Sequence, residues 1–205
     1  EFCFQLADNM EFNSEELKLA YIIGLFHDIG RFKQLVEFNT FNDAKSVDHA
    51  EYSMRVLEEE ALFEKFGIEQ DQIVSTAILF HNKLNLPKKM SEQEIRFAQI
   101  LRDADKMDIL KVLTDYYSNK NATPNHTLTW ELPKGNFISA AVSKEVLAGK
   151  LVSKENVLSD IDVKIMQMSW VFDINYRATF EFLLRKRFLE NIYSTLPKND
   201  TVIEI

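Results

Sequence analysis

Residues 92–117, EQEIRFAQILRDADKMDILKVLTDYY, form the longest stretch of the chain with a helical pattern. Ser91 and Glu94 are spaced as in a capping box, in which two side chains satisfy backbone N–H groups at a helix start. The positions on the inward face of this stretch recur at steps of three or four: Ala98, Leu101, Asp105, Ile109 and Val112. The pattern predicts one long helix whose inward face carries a carboxylate, Asp105.

Two other acidic residues of this helix have different orientations. At roughly 100° per residue, Asp103 points about 160° away from Asp105, whereas Asp108 lies within about 60° of it. We therefore interpret Asp103 as a surface residue or as a group that supports a ligand from behind. Asp108 is placed to orient a ligand or a water molecule.

A second helical pattern covers residues 14–26, with Ser14 as its N-cap and Gly30 just past its end. This helix delivers His27 and Asp28 at its C-terminal end. A third helix is predicted to begin at a Ser46 cap and to run towards Gly67, with His49 in its first turn. In the apolar run 73–81, positions four residues apart share one face, which directs His81 inward.

Composition predicts an all-α fold. The 205 residues are 46% apolar and 27% charged, with only 5 Gly and 4 Pro, and no region alternates apolar and polar residues over enough strands for a sheet. Helix is expected again over 166–193, after a loop at 119–136 that we interpret as a lid. We predict one domain, 1–205, with core motifs over 15–115 and a helical shell and lid over 118–205.

Charge and cysteine content exclude several classes of function. The net charge is -8 without a basic block, which disfavours binding to duplex nucleic acid. No apolar stretch approaches the roughly 20 residues that cross a bilayer, so no membrane partner is expected. The single Cys3 cannot form an internal disulfide, and we expect the protein in the cytoplasm.

Four segments place His or Asp on or beside an apolar helical face: LFHDIG, VDHAEY, LFHNK and LRDADKMDIL. Burying these groups is costly unless they are paired or bound to a cation. Imidazole and carboxylate ligands without thiolates suit a catalytic first-row divalent metal such as Mn, Fe, Co, Ni or Zn. The same residues also fit a helix-end His27 held by a carboxylate, and an Asp105 paired with Arg102 or Arg31.

In FHDIGRF, VDHAE, FHNK and RDADKMDIL, residues 15–115 resemble the HD-domain superfamily of metal-dependent phosphohydrolases. The resemblance implies a single globular helical bundle in which His27, Asp28 and Asp105 bind a divalent ion. Subfamilies with a second ion use two further histidines, and His49 and His81 are similar to these in order and context. Asp28 would then bridge two ions, and Mg joins the list of candidate metals.

The implied reaction is the hydrolysis of a phosphate monoester or diester by metal-activated water, with a nucleotide or another small phosphorylated molecule as substrate. The resemblance implies that Lys106 contacts phosphate. Arg31 is a second cation that can neutralise charge developing in the reaction. Asp28, Asp108 or Asp48 would orient the water, and the residues do not choose among them.

The chain departs from the family pattern at its start, since no histidine precedes His27 where the family has its first ligand. We expect either that the first helix is truncated in this chain or that the site is incomplete. An incomplete site favours a nucleotide-sensing module without turnover. Two further hypotheses are a two-metal cyclic-nucleotide or dinucleotide phosphodiesterase and a purely structural scaffold. The oligomeric state is open, a homodimer included.

Overall fold

The computed structural model describes residues 1–67, 72–119, 121–123, 125–130 and 132–205. The chain divides into two compact units, Glu1–Asp105 and Lys106–Ile205. Helices form the regular structure of both units, and the described ranges contain no strand, so the all-α prediction is confirmed. The single domain over 1–205 stays a prediction.

The first unit is built from seven helices among its described residues, the last of which continues into the second unit. They are α1 Phe2–Asn9, α2 Ser14–Phe26, α3 Gly30–Phe38, α4 His49–Glu59, α5 Leu62–Lys65, α6 Gln72–Phe80 and α7 Glu92–Ser118. Helix α2 packs against α1 and α6, and α4 packs against α3, α5 and α6. Almost completely buried apolar side chains fill the space between them: Ile23, Leu57, Ile78, Phe97, Ile100 and Leu101.

The capping box of α7 forms as predicted, whereas the caps of α2 and α4 lie one residue or more from the predicted ones. Ser91 Oγ accepts from Glu94 N at 3.2 Å, and Ser91 N donates to Glu94 at 2.8 Å. Asn13, not Ser14, caps α2, because Asn13 Oδ1 accepts two backbone N–H groups and its own N–H donates to Glu16. Asp48, not Ser46, caps α4.

The segment before α4 is also more ordered than a turn-rich stretch. Residues Asp43–Lys45 form a short 3-10 turn. Ser46 donates to Asn42 O at 2.9 Å and accepts from Gln34, so its hydroxyl fastens this turn and is not available as a helix cap. Helix α4 ends at Glu59, and Gly67 follows the separate helix α5 with a φ of +61°.

Gly30 was predicted to follow the end of α2, but it opens α3 and lies against the backbone of α4. A Cβ atom added at Gly30 would lie 2.5 Å from Ser53 N and 2.7 Å from Tyr52 C. Gly30 N donates to Ser53 Oγ at 3.0 Å. The lack of a side chain therefore sets how closely α3 approaches α4.

The second unit contains the rest of α7 and a set of shorter helices: α8 His126–Thr129, α9 Ala140–Leu147, α10 Asp160–Ser169, α11 Arg177–Lys186, α12 Phe188–Ser194 and α13 Asp200–Glu204. One buried cluster includes Val142, Val163 and Ile165, and a second includes Leu110, Leu183 and Ile192. Val112 is 46% exposed, so its predicted inward position is wrong. The buried apolar positions next to it in α7 are Leu110 and Leu113.

The helix predicted over 166–193 is interrupted. A 3-10 turn at Trp170–Asp173 follows α10, the backbone is extended at Ile174 and Tyr176, and Arg187 separates α11 from α12 with a φ of +55°. Asn175 Nδ2 donates to the carbonyl of Asp173 at 3.1 Å, a local bond that competes with helical pairing. Steps of four between apolar residues did not reveal this break.

The lid predicted at 119–136 includes residues 120, 124 and 131, which lie outside the described ranges. The described part contains the short helix α8. The role of this segment as a lid stays a prediction. Within the described ranges, no helix combines the length and the apolar character that a bilayer crossing requires.

We predict that Gly30→Ala lowers the free energy of unfolding by about 1–3 kcal/mol, because the new methyl group overlaps backbone atoms of α4 that cannot rotate away. Urea denaturation followed by circular dichroism measures the change. Gly24→Ala is the matched control. Its Cβ would lie 2.9 Å from Cys3 Sγ, a side-chain atom, and within 4 Å of no backbone atom outside its own helix. Equal stability of the two variants would contradict the close approach of α3 and α4.

Candidate metal centre

His27 lies at the C-terminal end of α2, where a backbone carbonyl of the last turn fixes its ring. Its Nδ1 lies 3.0 Å from Gly24 O. Because a carbonyl only accepts, the proton is assigned to Nδ1, and Nε2 of the neutral ring offers a lone pair. That Nε2 atom lies 3.5 Å from Asp105 Oδ1 and 3.8 Å from Asp28 Oδ2.

His81 follows the end of α6 and repeats this local arrangement. Its Nδ1 lies 2.7 Å from Ile78 O, three residues earlier, as Gly24 is for His27. The side chain is only 1% exposed, so the predicted inward orientation of His81 is confirmed. Its Nε2 lies 3.8 Å from Asp28 Oδ1.

His49 is the first residue of α4, as predicted, because the Asp48 side chain caps that helix. Its Nδ1 lies 2.5 Å from Asp43 Oδ2, and its Nε2 lies 3.5 Å from Asp28 Oδ1. The Nε2 atoms of His49 and His81 are only 3.0 Å apart. Two lone pairs repel at this distance, and a metal cation between them would relieve the repulsion.

Asp28 occupies the centre of this group. Its side chain is 41% exposed as a whole, but its Oδ1 atom is buried and has no hydrogen-bond partner among the described residues. A buried carboxylate oxygen without a donor is costly. Arg31 Nε lies 3.7 Å from the same oxygen and offsets part of its charge.

Asp105, in α7, contributes a second carboxylate to the group around Asp28, and its side chain is 21% exposed. Arg102, one turn earlier, donates to the carbonyl of Phe80 at 3.0 Å and to that of Leu84 at 3.4 Å. These bonds fasten the turn that carries His81 to the helix that carries Asp105. Asp103 is fully buried, so its interpretation as a surface residue is wrong: α7 is enclosed on several sides here, and Arg102 is only 4% exposed.

Carboxylates and burial shift the pKa values of His27 and His81 in opposite directions. Burial would lower the pKa of His27, but the bond to Asp105 and the charges of Asp105 and Asp28 outweigh it and raise this pKa to about 9. Burial dominates at His81 and, with the neighbouring His27 and His49, lowers its pKa to about 4. The negative field that holds a proton on His27 would also attract a metal cation.

The spacing of these atoms matches the needs of a metal ion. Two ligand atoms that share a first-row cation at about 2.0–2.2 Å lie roughly 3.0–3.6 Å apart. The distances between the Nε2 atoms and the carboxylate oxygens are 3.5–3.8 Å, within a few tenths of an ångström of that range. His27, Asp28 and His81 each place a ligand atom within 4.8 Å of the others. The donor set and the unpartnered Asp28 Oδ1 fit a divalent cation.

Among the predicted catalytic residues, Arg31 and Lys106 each contact a carboxylate outside the group around Asp28, and Asp108 is exposed. Arg31 donates through NH1 to Asp43 at 3.0 Å and to Phe41 O at 2.8 Å. Lys106 Nζ, in the second unit, lies 2.6 Å from Asp173 Oδ2, and Asp108 of the same unit is exposed. The roles predicted for Lys106, Asp108 and Arg31 stay predictions.

Sequence reasoning missed Asp43 and Asn82. Asp43 lies in a stretch that reads as a polar turn, and burial would raise its pKa, but its bond to His49 and the charges of His49 and Arg31 lower it to about 2. Asn82 donates to Asp48 at 3.0 Å and places Nδ2 3.5 Å from His49 Nδ1. The sequence offers one indication for each residue, its position: Asp43 lies six residues before His49, and Asn82 directly follows His81.

A family model described as HD domain matches residues 1–110. A search of curated proteins found no match, and neither did a search of solved structures. The matched range covers more than half of the 205 residues and contains His27, Asp28, His49, His81 and Asp105. The resemblance drawn from the four sequence motifs is thereby confirmed. The chain belongs to the HD-domain superfamily of metal-dependent phosphohydrolases.

Proposed function

We propose that this chain hydrolyses a phosphate monoester or diester of a small molecule, with a nucleotide as the favoured substrate class. One observation supports the proposal most strongly: three imidazole Nε2 atoms face the carboxylates of Asp28 and Asp105, and one of these carboxylate oxygens, Asp28 Oδ1, is buried without a hydrogen-bond partner among the described residues. Membership of the HD-domain family supports the reaction class.

The two oxygens of Asp28 face different histidines, which favours two metal ions over one. Asp28 Oδ2 lies nearest to His27, whose Nε2 also faces Asp105. Asp28 Oδ1 faces His49 and His81. His27, Asp28 and Asp105 would hold one ion, and His49, His81 and the other oxygen of Asp28 would hold the second. The donor set suits Mn, Fe, Co, Ni or Zn, with Mg as a further candidate.

A bound divalent cation supplies a Lewis acid that attracts a phosphoryl oxygen and makes water a better nucleophile at neutral pH. The chain contributes orientation. Asp28 Oδ1 is buried while the rest of this side chain faces solvent, so substrate and water approach Asp28 from its exposed side. We assign the orienting of the attacking water to Asp28.

Asp48 is a poorer choice for that role because its oxygens already accept several hydrogen bonds. Oδ1 accepts from Asn82 and from the backbone N–H of Ala50, each at 3.0 Å, and Oδ2 accepts from Lys83 at 2.5 Å. A carboxylate with these partners has fewer lone pairs left for a water molecule. Asp48 therefore organises the start of α4.

The phosphate of the substrate requires cations beside the metal ions. Arg31 is the proposed contact from the first unit, because bonds from NH1 to Asp43 and Phe41 fix its guanidinium while its Nε faces Asp28. The net charge of -8 favours a small substrate over duplex nucleic acid.

We predict that His27→Gln and Asp105→Asn each remove a metal ion and lower phosphatase activity by about 100-fold or more, because each loses a ligand of the same ion. Mass spectrometry measures the metal content, and p-nitrophenyl phosphate and its bis-ester serve as monoester and diester substrates. Asp115→Asn is the matched control for Asp105→Asn, since the Asp115 side chain is 71% exposed and lies 3.5 Å from Lys111 Nζ.

The outcomes separate enzyme, sensor and scaffold. Metal and turnover that both fall in the two ligand variants, but not in the control, support the enzyme. Stoichiometric metal without turnover on any phosphate ester would replace the enzyme with a regulatory module. A wild-type chain that takes up no divalent metal would leave only the scaffold.

A separate prediction concerns the number of ions. We expect two ions per wild-type chain, and one in His49→Gln, because His49 Nε2 faces Asp28 Oδ1, whereas Asp105 faces His27 Nε2. Equilibrium dialysis against Mn²⁺ or Zn²⁺ counts the ions. One ion in the wild type, unchanged in His49→Gln, would contradict the second site and the phosphodiesterase hypothesis that requires it.

A further inference from the structure

The three imidazoles differ in what holds their Nδ1 atoms. For His27 and His81 the acceptor is the backbone carbonyl three residues earlier, which helical geometry supplies. For His49, the first residue of α4, no preceding helical turn exists to supply such a carbonyl. Its Nδ1 instead faces the Asp43 carboxylate at 2.5 Å.

We propose that Asp43 is a positioning residue that keeps the proton of His49 on Nδ1 and thereby keeps Nε2 free to bind metal. This inference deepens the proposed function and rests on it. An Nδ1–H bonded to a carboxylate is the arrangement that fixes the tautomer and ring orientation of metal-binding histidines in general.

Asp43 is itself fixed by α3. Its Oδ1 accepts from Arg31 NH1 at 3.0 Å and from Gln34 Nε2 at 3.1 Å, while Oδ2 serves His49. Gln34 is completely buried and also contacts Ser46 Oγ at 2.9 Å. Both oxygens of Asp43 therefore have defined partners, and the carboxylate cannot rotate away from His49 without losing them.

The neighbourhood contains a group that favours the opposite tautomer. Asn82 Nδ2, a donor, lies 3.5 Å from His49 Nδ1. Without the Asp43 carboxylate, Nδ1 can accept from Asn82, and the proton then moves to Nε2. A protonated Nε2 cannot bind a metal ion, and it would point at His81 Nε2, 3.0 Å away. The charge of Asp43 decides between these two states.

The test compares the wild-type chain with Asp43→Asn and with Ser46→Ala as the matched control. Ser46→Ala removes a bond that fastens the same turn but leaves the carboxylate in place. In Asp43→Asn we expect the affinity for the second Mn²⁺ or Zn²⁺ ion to fall about 10–100-fold. Ser46→Ala should stay within about 3-fold of the wild type on the same scale. Isothermal titration calorimetry measures both.

Long-range ¹H–¹⁵N correlation spectra of the metal-free chain, recorded above the pH range in which imidazole is protonated, identify the tautomer directly. The expected result is Nδ1–H for His49 in the wild type and in Ser46→Ala, and a shift towards Nε2–H in Asp43→Asn. An unchanged tautomer in Asp43→Asn, or an equal loss of metal affinity in Ser46→Ala, would overturn the role of Asp43. Failure of the wild type to bind metal would overturn the proposed function instead, and the spectra would still decide the role of Asp43.

Discussion

The buried oxygen Oδ1 of Asp28 has no hydrogen-bond donor among the described residues, and this constrains the positions of the helices around it. An ionised carboxylate is stable in the interior only where positive charge or several donors surround it. Here the ends of α2 and α6, the first residue of α4 and the middle of α7 all supply groups to the same volume. These helices therefore have to end, begin or pass at matched positions for their side chains to hold the cation that would stabilise this carboxylate.

Helix termini provide much of this arrangement without special residues. The last turn of a helix leaves carbonyl groups without intrahelical partners, and a histidine placed there can donate its Nδ1–H to one of them. His27 and His81 both use such a carbonyl, three residues earlier in the chain. The same backbone feature that ends α2 and α6 thus directs two lone pairs towards Asp28. His49 lies at a helix start, which has free N–H groups but no free carbonyls, so its orientation depends on a side chain.

The sequence predicted the parts of the structure that depend on periodicity and on local residue type. Ser91 and Glu94 marked the start of α7, the inward stripe placed Asp105 correctly, and the apolar positions four residues apart directed His81 inward. The helix bounds of α2 were also correct, although its cap was not. Each of these features is determined by residues within one or two helical turns.

Features that depend on distant contacts were not predictable in this way. The burial of Asp103 depends on residues outside α7, so the periodicity of one helix does not predict it. Asp43 gains its role only when the turn at 43–45 folds back onto α3, and Gly30 gains its role only against α4. At the break after Asp173, Asn175 makes a side-chain hydrogen bond that periodicity does not predict.

The bonds from Arg102 to the carbonyls of Phe80 and Leu84 have a consequence for protein engineering. They fix the spacing between His81 and Asp105 through α7 itself, so this spacing does not depend on the connecting segment 85–90. Loop closure costs only about 0.6 kcal/mol for each doubling of loop length. The segment 85–90 is therefore a suitable place to insert an affinity tag or a reporter domain while the ligand geometry is kept.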